Sequence, residues 1–331
     1  MICTICYRHC ALSEGQIGYC KVRQNQSDEN VSLIRGTWTS AAFDPIEKKN
    51  LYHYYPGSTF LTIGFSGCNF LCSYCQNWRI ITRQSPDYPV TIERIIELLA
   101  SRLCTGLAFS YSEPTLNWEW VRETAQEVHQ VYPEMPLCMY TNGYAEPWVY
   151  DLLSEHIRAY AVSVRGSQAA YATVAPGTEL RYVLRNLRHL WGRGCHLEIP
   201  YVLLPGLYTE QDVREFLIWL VAEMGPDVPV HFLRYLTHHE YHKAPTCEDE
   251  IADMVCLAQS LGLRYVYGSN THRQMQDTYC PRCGRVLIRR NDLGFVTSCL
   301  KGRACPECGE EILLAGGVRN DYENALVKEM R

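Results

Sequence analysis

Gly67-Cys68-Asn69-Phe70-Leu71-Cys72-Ser73-Tyr74-Cys75-Gln76-Asn77 decides how the rest of the chain is read. Its cysteines are spaced C-x3-C-x2-C, with an aromatic residue directly before the last. Three thiolates on one short loop bind three irons of a cubane [4Fe–4S] cluster and leave the fourth iron without a protein ligand. An open metal position suits a catalytic centre, whereas a structural site closes its coordination sphere. Zinc takes four protein ligands, or three and a water, so Cys68, Cys72 and Cys75 read as cluster ligands.

Outward from this loop the chain alternates strands and helices. Thr59 to Phe65 is a short apolar strand running straight into the cysteines. Further strands are expected at Gly106–Tyr111, Leu137–Thr141, Tyr160–Arg165, Cys195–Leu204, Val228–Tyr235 and Arg264–Tyr267. Helices are expected at Thr91–Leu103, Leu116–Val131, from Pro147, and at Glu179–Trp191, Glu210–Met224 and Cys247–Leu261. Repeated βα units imply a parallel sheet with right-handed crossovers. Six complete units before the last strand predict an α/β fold, a partial (β/α)6 TIM-like barrel rather than a closed eightfold one. In such barrels chemistry gathers at the C-terminal ends of the strands. Those ends carry the cysteine loop, Ser110–Thr115, Tyr140–Gly143, Ser163–Gly166 and His231–Tyr235.

Two further cysteine groups flank the barrel. Cys280-Pro-Arg-Cys283-Gly and Cys305-Pro-Glu-Cys308-Gly are paired knuckles that converge on a tetrahedral four-sulfur site. They predict a C-terminal zinc-ribbon or rubredoxin-like module, with zinc expected over a single iron. Cys3, Cys6, Cys10 and Cys20 suit either zinc or a second cluster. The expected organisation is a Cys-rich extension (1–57), the barrel (58–272) and the ribbon module (273–331). Among 331 residues, 17 are cysteines, and no apolar leader opens the chain, so a reducing cytoplasm and metal thiolates are expected in place of disulfides. A net charge of -5 and the lack of a long apolar run give no reason to expect a nucleic acid or a membrane partner.

Taken together, the motifs resemble the radical S-adenosylmethionine (SAM) superfamily, close to the activators of glycyl-radical enzymes and most similar to the AmmeMemoRadiSam group. The likeness runs through Glu14-Gly15, Gly18-Tyr19-Cys20, Asp44–Lys49, Leu51-Tyr52-His53, the cluster loop, Ser112–Thr115, Thr141–Tyr144, Pro205-Gly206 and Tyr265–Gly268 into the ribbon. The resemblance implies that SAM chelates the open iron and is cleaved to a 5′-deoxyadenosyl radical, which takes hydrogen from a substrate. It implies SAM contacts at Glu113, Thr141, Asn142 and Arg165, with Tyr74 and His231 as further cofactor-side residues. Arg165 stands where relatives often carry lysine, and Tyr140 and Ser163 where activators carry cation-holding aspartates. A protein or peptide substrate and an electron donor such as flavodoxin or ferredoxin follow from the same kinship. Modification of a small molecule or RNA is the alternative, and a non-catalytic metal scaffold or electron carrier is the alternative of another class. On their own chemistry Glu113 could cap the helix after Pro114, and His238, His239 and His242 could be solvated loop residues.

Overall fold

The computed structural model describes residues 1–101, 104–271, 274–291 and 296–319. Seven parallel strands follow one another in space as they do in sequence: Thr59–Gly64, Gly106–Ser110, Leu137–Thr141, Ala159–Val162, His196–Leu203, Val230–Arg234 and Val266–Ser269. An eighth strand, Ser40–Pro45, pairs antiparallel with the first and forms one edge. The other edge is Val266–Ser269, and among the described residues no ladder joins the two. The six βα units match the expected α/β fold built on a parallel sheet. The antiparallel edge was not expected, because Ser40-Ala-Ala-Phe-Asp-Pro45 has little of the β-branched alternation that marks a strand.

Helices form where caps and apolar stripes coincide. Ile92–Ala100 opens on Thr91, whose hydroxyl accepts from the Arg94 amide at 3.3 Å, and it buries Ile95 and Leu99. Its expected end at Leu103 lies outside the described residues. Glu210–Met224 opens on a reciprocal capping box between Thr209 and Asp212. A short helix at Gln168–Val174 escaped the sequence pattern, since seven residues barely complete two turns.

The inner face of the sheet is lined by small side chains. Ala108, Cys138, Ala159 and Ala161 are all buried and face Phe60, and together they leave room for Ile46, Leu51 and Tyr54. The chain between the edge strand and the first parallel strand is thus packed inside the barrel. Glu198, fully buried on the fifth parallel strand, holds that segment. Its carboxylate accepts from the Tyr52 and His53 amides at 2.9 and 2.7 Å, and from His196 and His231 at 2.9 and 2.8 Å. Burial alone would raise its pKa, but the two imidazole donors hold it well below the usual carboxylate range.

Through the same segment the C-terminal module is bound to the barrel. Its three-stranded antiparallel sheet runs through Thr278–Tyr279, Val286–Arg290 and Val296–Ser298. Leu287, Ile288 and Val296 share one apolar cluster with Tyr52, Tyr265 and Tyr267. The His53 ring bonds Leu313 O at 2.9 Å through Nδ1 and the Tyr267 hydroxyl at 2.6 Å through Nε2. Arg290 donates to Tyr52 O and to the Thr278 hydroxyl, at 2.8 and 2.9 Å.

Burial pushes the His53 imidazole down to about 4. The unfolded chain therefore binds a proton there that the folded chain rejects between about pH 6.5 and 4. Stability from this joint is complete above that window and is lost as pH falls through it. Denaturant titrations at several pH values should show that slope, and His53→Gln should flatten it; an unchanged slope would remove His53 from the joint.

Candidate active site

The cysteine loop is built from glycine and aromatic packing. Gly67 has φ +84°, and a Cβ there would fall 2.6 Å from the Cys20 carbonyl oxygen and 2.5 Å from a Val22 methyl. Only glycine lets the N-terminal segment lie so close. Phe70 is buried edge-on against Tyr144 and Tyr171, at 5.1 and 5.8 Å between centroids, which fixes the turn between the first two cysteines. The Ser73 amide donates to Val174 O at 3.0 Å, so the loop is tied to the helix that the sequence did not reveal.

Cys68 and Cys72 are buried and Cys75 half-buried, and all three line one cavity of about 690 Å³. Burial raises all three thiols, Cys75 to about 12. Such thiols become thiolates only when cations compensate them, which is the chemistry of a metal–sulfur group. Three sulfurs facing a cavity fit a cluster with one iron open.

Asn142 and Arg165 reach the same cavity from two strand ends. The Asn142 amide donates to Asn69 Oδ1 at 2.7 Å and lies 3.7 Å from Cys68 Sγ. Arg165 is half-buried, donates to the Ser163 hydroxyl, and sits 6.0 Å from the Phe70 ring centroid. Its Nε has no partner, so a charged donor remains unspent beside the sulfurs. Tyr140 also lines the cavity. With tyrosine and serine at 140 and 163, the guanidinium is the cation held at these strand ends.

The remaining expected cofactor residues divide. Glu113 accepts from the Thr115 and Thr141 hydroxyls at 2.7 and 2.8 Å, and from the Asn142 amide at 2.7 Å. That buried carboxylate caps the turn Pro114–Asn117 and clamps two strand ends together, but it does not line the cavity. Thr141 is likewise spent on Glu113 and on the Tyr150 hydroxyl at 3.0 Å. Tyr74 lines a smaller cavity of about 180 Å³ with Cys72, Arg165 and His238. His231 lines neither; it lies beneath, bonded to Glu198. His239 stacks on Trp78 at 5.0 Å, and His242 is exposed.

A charged group at Asp44, Lys48 and Lys49 lines the same cavity as the cysteines. The Asp44 carboxylate takes Lys48 and Lys49, each at 3.0 Å, and the Tyr111 hydroxyl at 2.5 Å. Burial would raise Asp44, yet Lys49 and these donors outweigh it and hold it at about 2. Tyr111 has φ +68°, a conformation costly for a tyrosine, and Asn77 at the end of the cysteine loop bonds its carbonyl at 2.8 Å. Gln276 and Asn291 join the lining from the C-terminal module. In that module the Cys280, Cys283, Cys305 and Cys308 sulfurs all lie within 4.8 Å of one another. Gly284 and Gly309 after each knuckle take φ +73° and +75°, as the tight turns require. The four thiols are set for one metal ion.

Comparison with known proteins agrees with this geometry. The sequence model of the Radical SAM superfamily matches residues 62–220. An uncharacterized protein of Methanocaldococcus jannaschii is 32% identical over 318 residues, 94% of each chain. Among solved structures, a radical SAM methyltransferase from Sphaerobacter thermophilus shares 16% identity, covers 66% of this chain and 68% of its own, and superposes with a TM-score of 0.52. Streptococcus suis SuiB bound to precursor peptide SuiA shares 11% identity, covers 69% of this chain and 52% of its own, with a TM-score of 0.50. At those identities the structures establish the fold and nothing finer. Members of the superfamily are enzymes that use a [4Fe–4S] cluster and SAM. With the cysteine loop at the end of the first parallel strand and the matched span running across five of the seven, this chain belongs to the radical SAM superfamily.

Proposed function

We propose that the chain is a SAM-dependent radical enzyme of the glycyl-radical-activator kind, acting on a peptide or protein. The observation that carries the reading is convergence: Cys68, Cys72, Cys75, Asn142 and Arg165 come from three strand ends and open on one cavity. When bound, the cluster and SAM supply a 5′-deoxyadenosyl radical to the cavity. Arg165 offers its guanidinium to the SAM carboxylate as a charge-assisted fork, and Asn142 steadies the loop at Cys68. Glu113 and Thr141 act at one remove, by fixing the backbone from which Asn142 projects. On this reading the Glu113 carboxylate serves SAM binding by holding that backbone in place.

The substrate would meet the charged part of the lining, where Lys48 is largely exposed and Asp44, Tyr111, Gln276 and Asn291 offer polar groups. A cavity of about 690 Å³ falls within the usual range for small-ligand sites, leaving room beside a cofactor for a residue-sized group. Four chain segments frame this mouth, an arrangement suited to an extended peptide whose one residue enters. We assign zinc to the C-terminal site, on its four-thiolate tetrahedral crowding. No helix among the described residues is long and apolar enough to cross a membrane. A cytoplasmic setting, with flavodoxin or ferredoxin as reductant, completes the proposal.

The anaerobic protein given dithionite and SAM should release 5′-deoxyadenosine, and Cys72→Ala should abolish it. Release undiminished in Cys72→Ala would refute the assignment; SAM bound but never cleaved would favour a metal scaffold. Arg165→Ala removes a half-buried charged donor of the kind worth roughly 1.5–3 kcal/mol, so SAM affinity should fall at least about tenfold. Equal affinity in equilibrium binding would take Arg165 out of the SAM site.

A further inference from the structure

The structure assigns Arg8 a redox role: its guanidinium is a fixed cation for the cluster at Cys68, Cys72 and Cys75, and it makes that cluster easier to reduce. This role rests on the radical reading, because that reading puts a cluster in the loop that Arg8 holds.

Arg8 belongs to the first cysteine segment, in which Cys3, Cys6 and Cys20 are buried and Cys10 is half-buried. Main-chain bonds dock the segment on the barrel. The Tyr7 amide donates to Tyr144 O at 3.3 Å, and the Glu146 amide to Ile5 O at 2.9 Å. From that footing the Arg8 side chain reaches out of its own segment. Its Nε donates to Asn69 O, the carbonyl of the residue after Cys68. Its Nη2 donates to Pro176 O at 2.9 Å, and a Cβ at Gly177 would stand 3.1 Å from Nη1. The Tyr19 ring covers the guanidinium, its centroid 3.6 Å from Cζ.

Every one of these partners is neutral. Among the described residues no carboxylate pairs with Arg8, whereas Arg23, Arg35, Arg83 and Arg188 each take one. A half-buried guanidinium without a counter-ion is unfavourable until an anion is supplied. The cysteine loop supplies it. Burial raises the Cys72 thiol, and Arg165 and then Arg8 are the charges that oppose this rise.

The two guanidiniums have different duties. Arg165 lines the cavity and faces the SAM carboxylate on the proposed reading, so its charge is shared with the cofactor. Arg8 lines neither cavity and is held by main-chain carbonyls, so its charge stays with the loop whether or not SAM is bound. Three thiolates around a 2+ core leave a net negative charge, and one-electron reduction adds another. A fixed cation therefore stabilises the reduced state more than the oxidised one. The step is electron transfer alone. An external low-potential one-electron carrier gives up one electron, the core takes it, no bond forms or breaks, and Arg8 keeps its protons throughout.

A redox titration of the full chain, followed through the electron paramagnetic resonance signal that responds to SAM, tests this role. Arg8→Gln keeps a donor for Asn69 O and removes the charge; Arg8→Lys keeps the charge and changes the donors. At an effective dielectric constant of about 20, a unit charge about 10 Å away shifts an equilibrium on the order of tenfold. Where the wild-type cluster is half reduced, Arg8→Gln should show a reduced-to-oxidised ratio about tenfold lower, equal to about 59 mV for one electron. Arg8→Lys should stay within about twofold of wild type. Equal midpoint potentials in all three proteins would overturn the redox role. An equal fall in both variants, or loss of iron from both, would overturn it too and make Arg8 a staple of the loop. A wild type whose reduced cluster gives no SAM-responsive signal would contradict the radical reading, and the role of Arg8 with it.

Discussion

The smallness of four side chains on the inner face of the sheet governs the architecture. Ala108, Cys138, Ala159 and Ala161 give up the volume that larger residues take in a filled barrel, and Ile46, Leu51 and Tyr54 occupy it. Backbone amides carried into that space must find acceptors, and Glu198 supplies two of them. The consequence reaches the cavity, because the same segment brings Asp44, Lys48 and Lys49 to its lining. It reaches the C-terminal module as well, through His53, Tyr52 and Arg290.

The cysteine-bearing parts are therefore neighbours, not beads on a string. The N-terminal cysteines rest on Gly67 and the backbone beyond Asn142, and the ribbon supplies Gln276 and Asn291 to the cavity. A module of the ribbon's size normally depends on its metal for folding. Here its strands also share a core with the barrel, so loss of that metal should disturb the cavity wall as well.

Much of this was legible in the sequence. The C-x3-C-x2-C spacing, the two C-P-x-C-G knuckles and the strand–helix rhythm located the cluster loop, the ribbon and all seven parallel strands, because each rests on local periodicity or ligand spacing. What stayed hidden depended on contacts far apart in sequence. Glu113 has the composition of a ligand, and only the fold shows its carboxylate spent on Thr115, Thr141 and Asn142. His231 sits at a strand end by sequence, yet its side chain turns down to Glu198. The edge strand Ser40–Pro45 lacks a strong pattern and exists because it pairs with Thr59–Gly64. The Asp44–Lys49–Tyr111 group was visible as letters, but no local rule brings residues 44 and 111 together.

The central claim is that three cysteines leave one iron open to SAM. The direct measurement is the electron paramagnetic resonance spectrum of the reduced protein before and after addition of SAM labelled with 15N and 17O at its amino and carboxylate groups. The account predicts a shifted cluster signal with hyperfine coupling to both labels, absent in Cys72→Ala. A reduced cluster whose spectrum does not respond to SAM would contradict it.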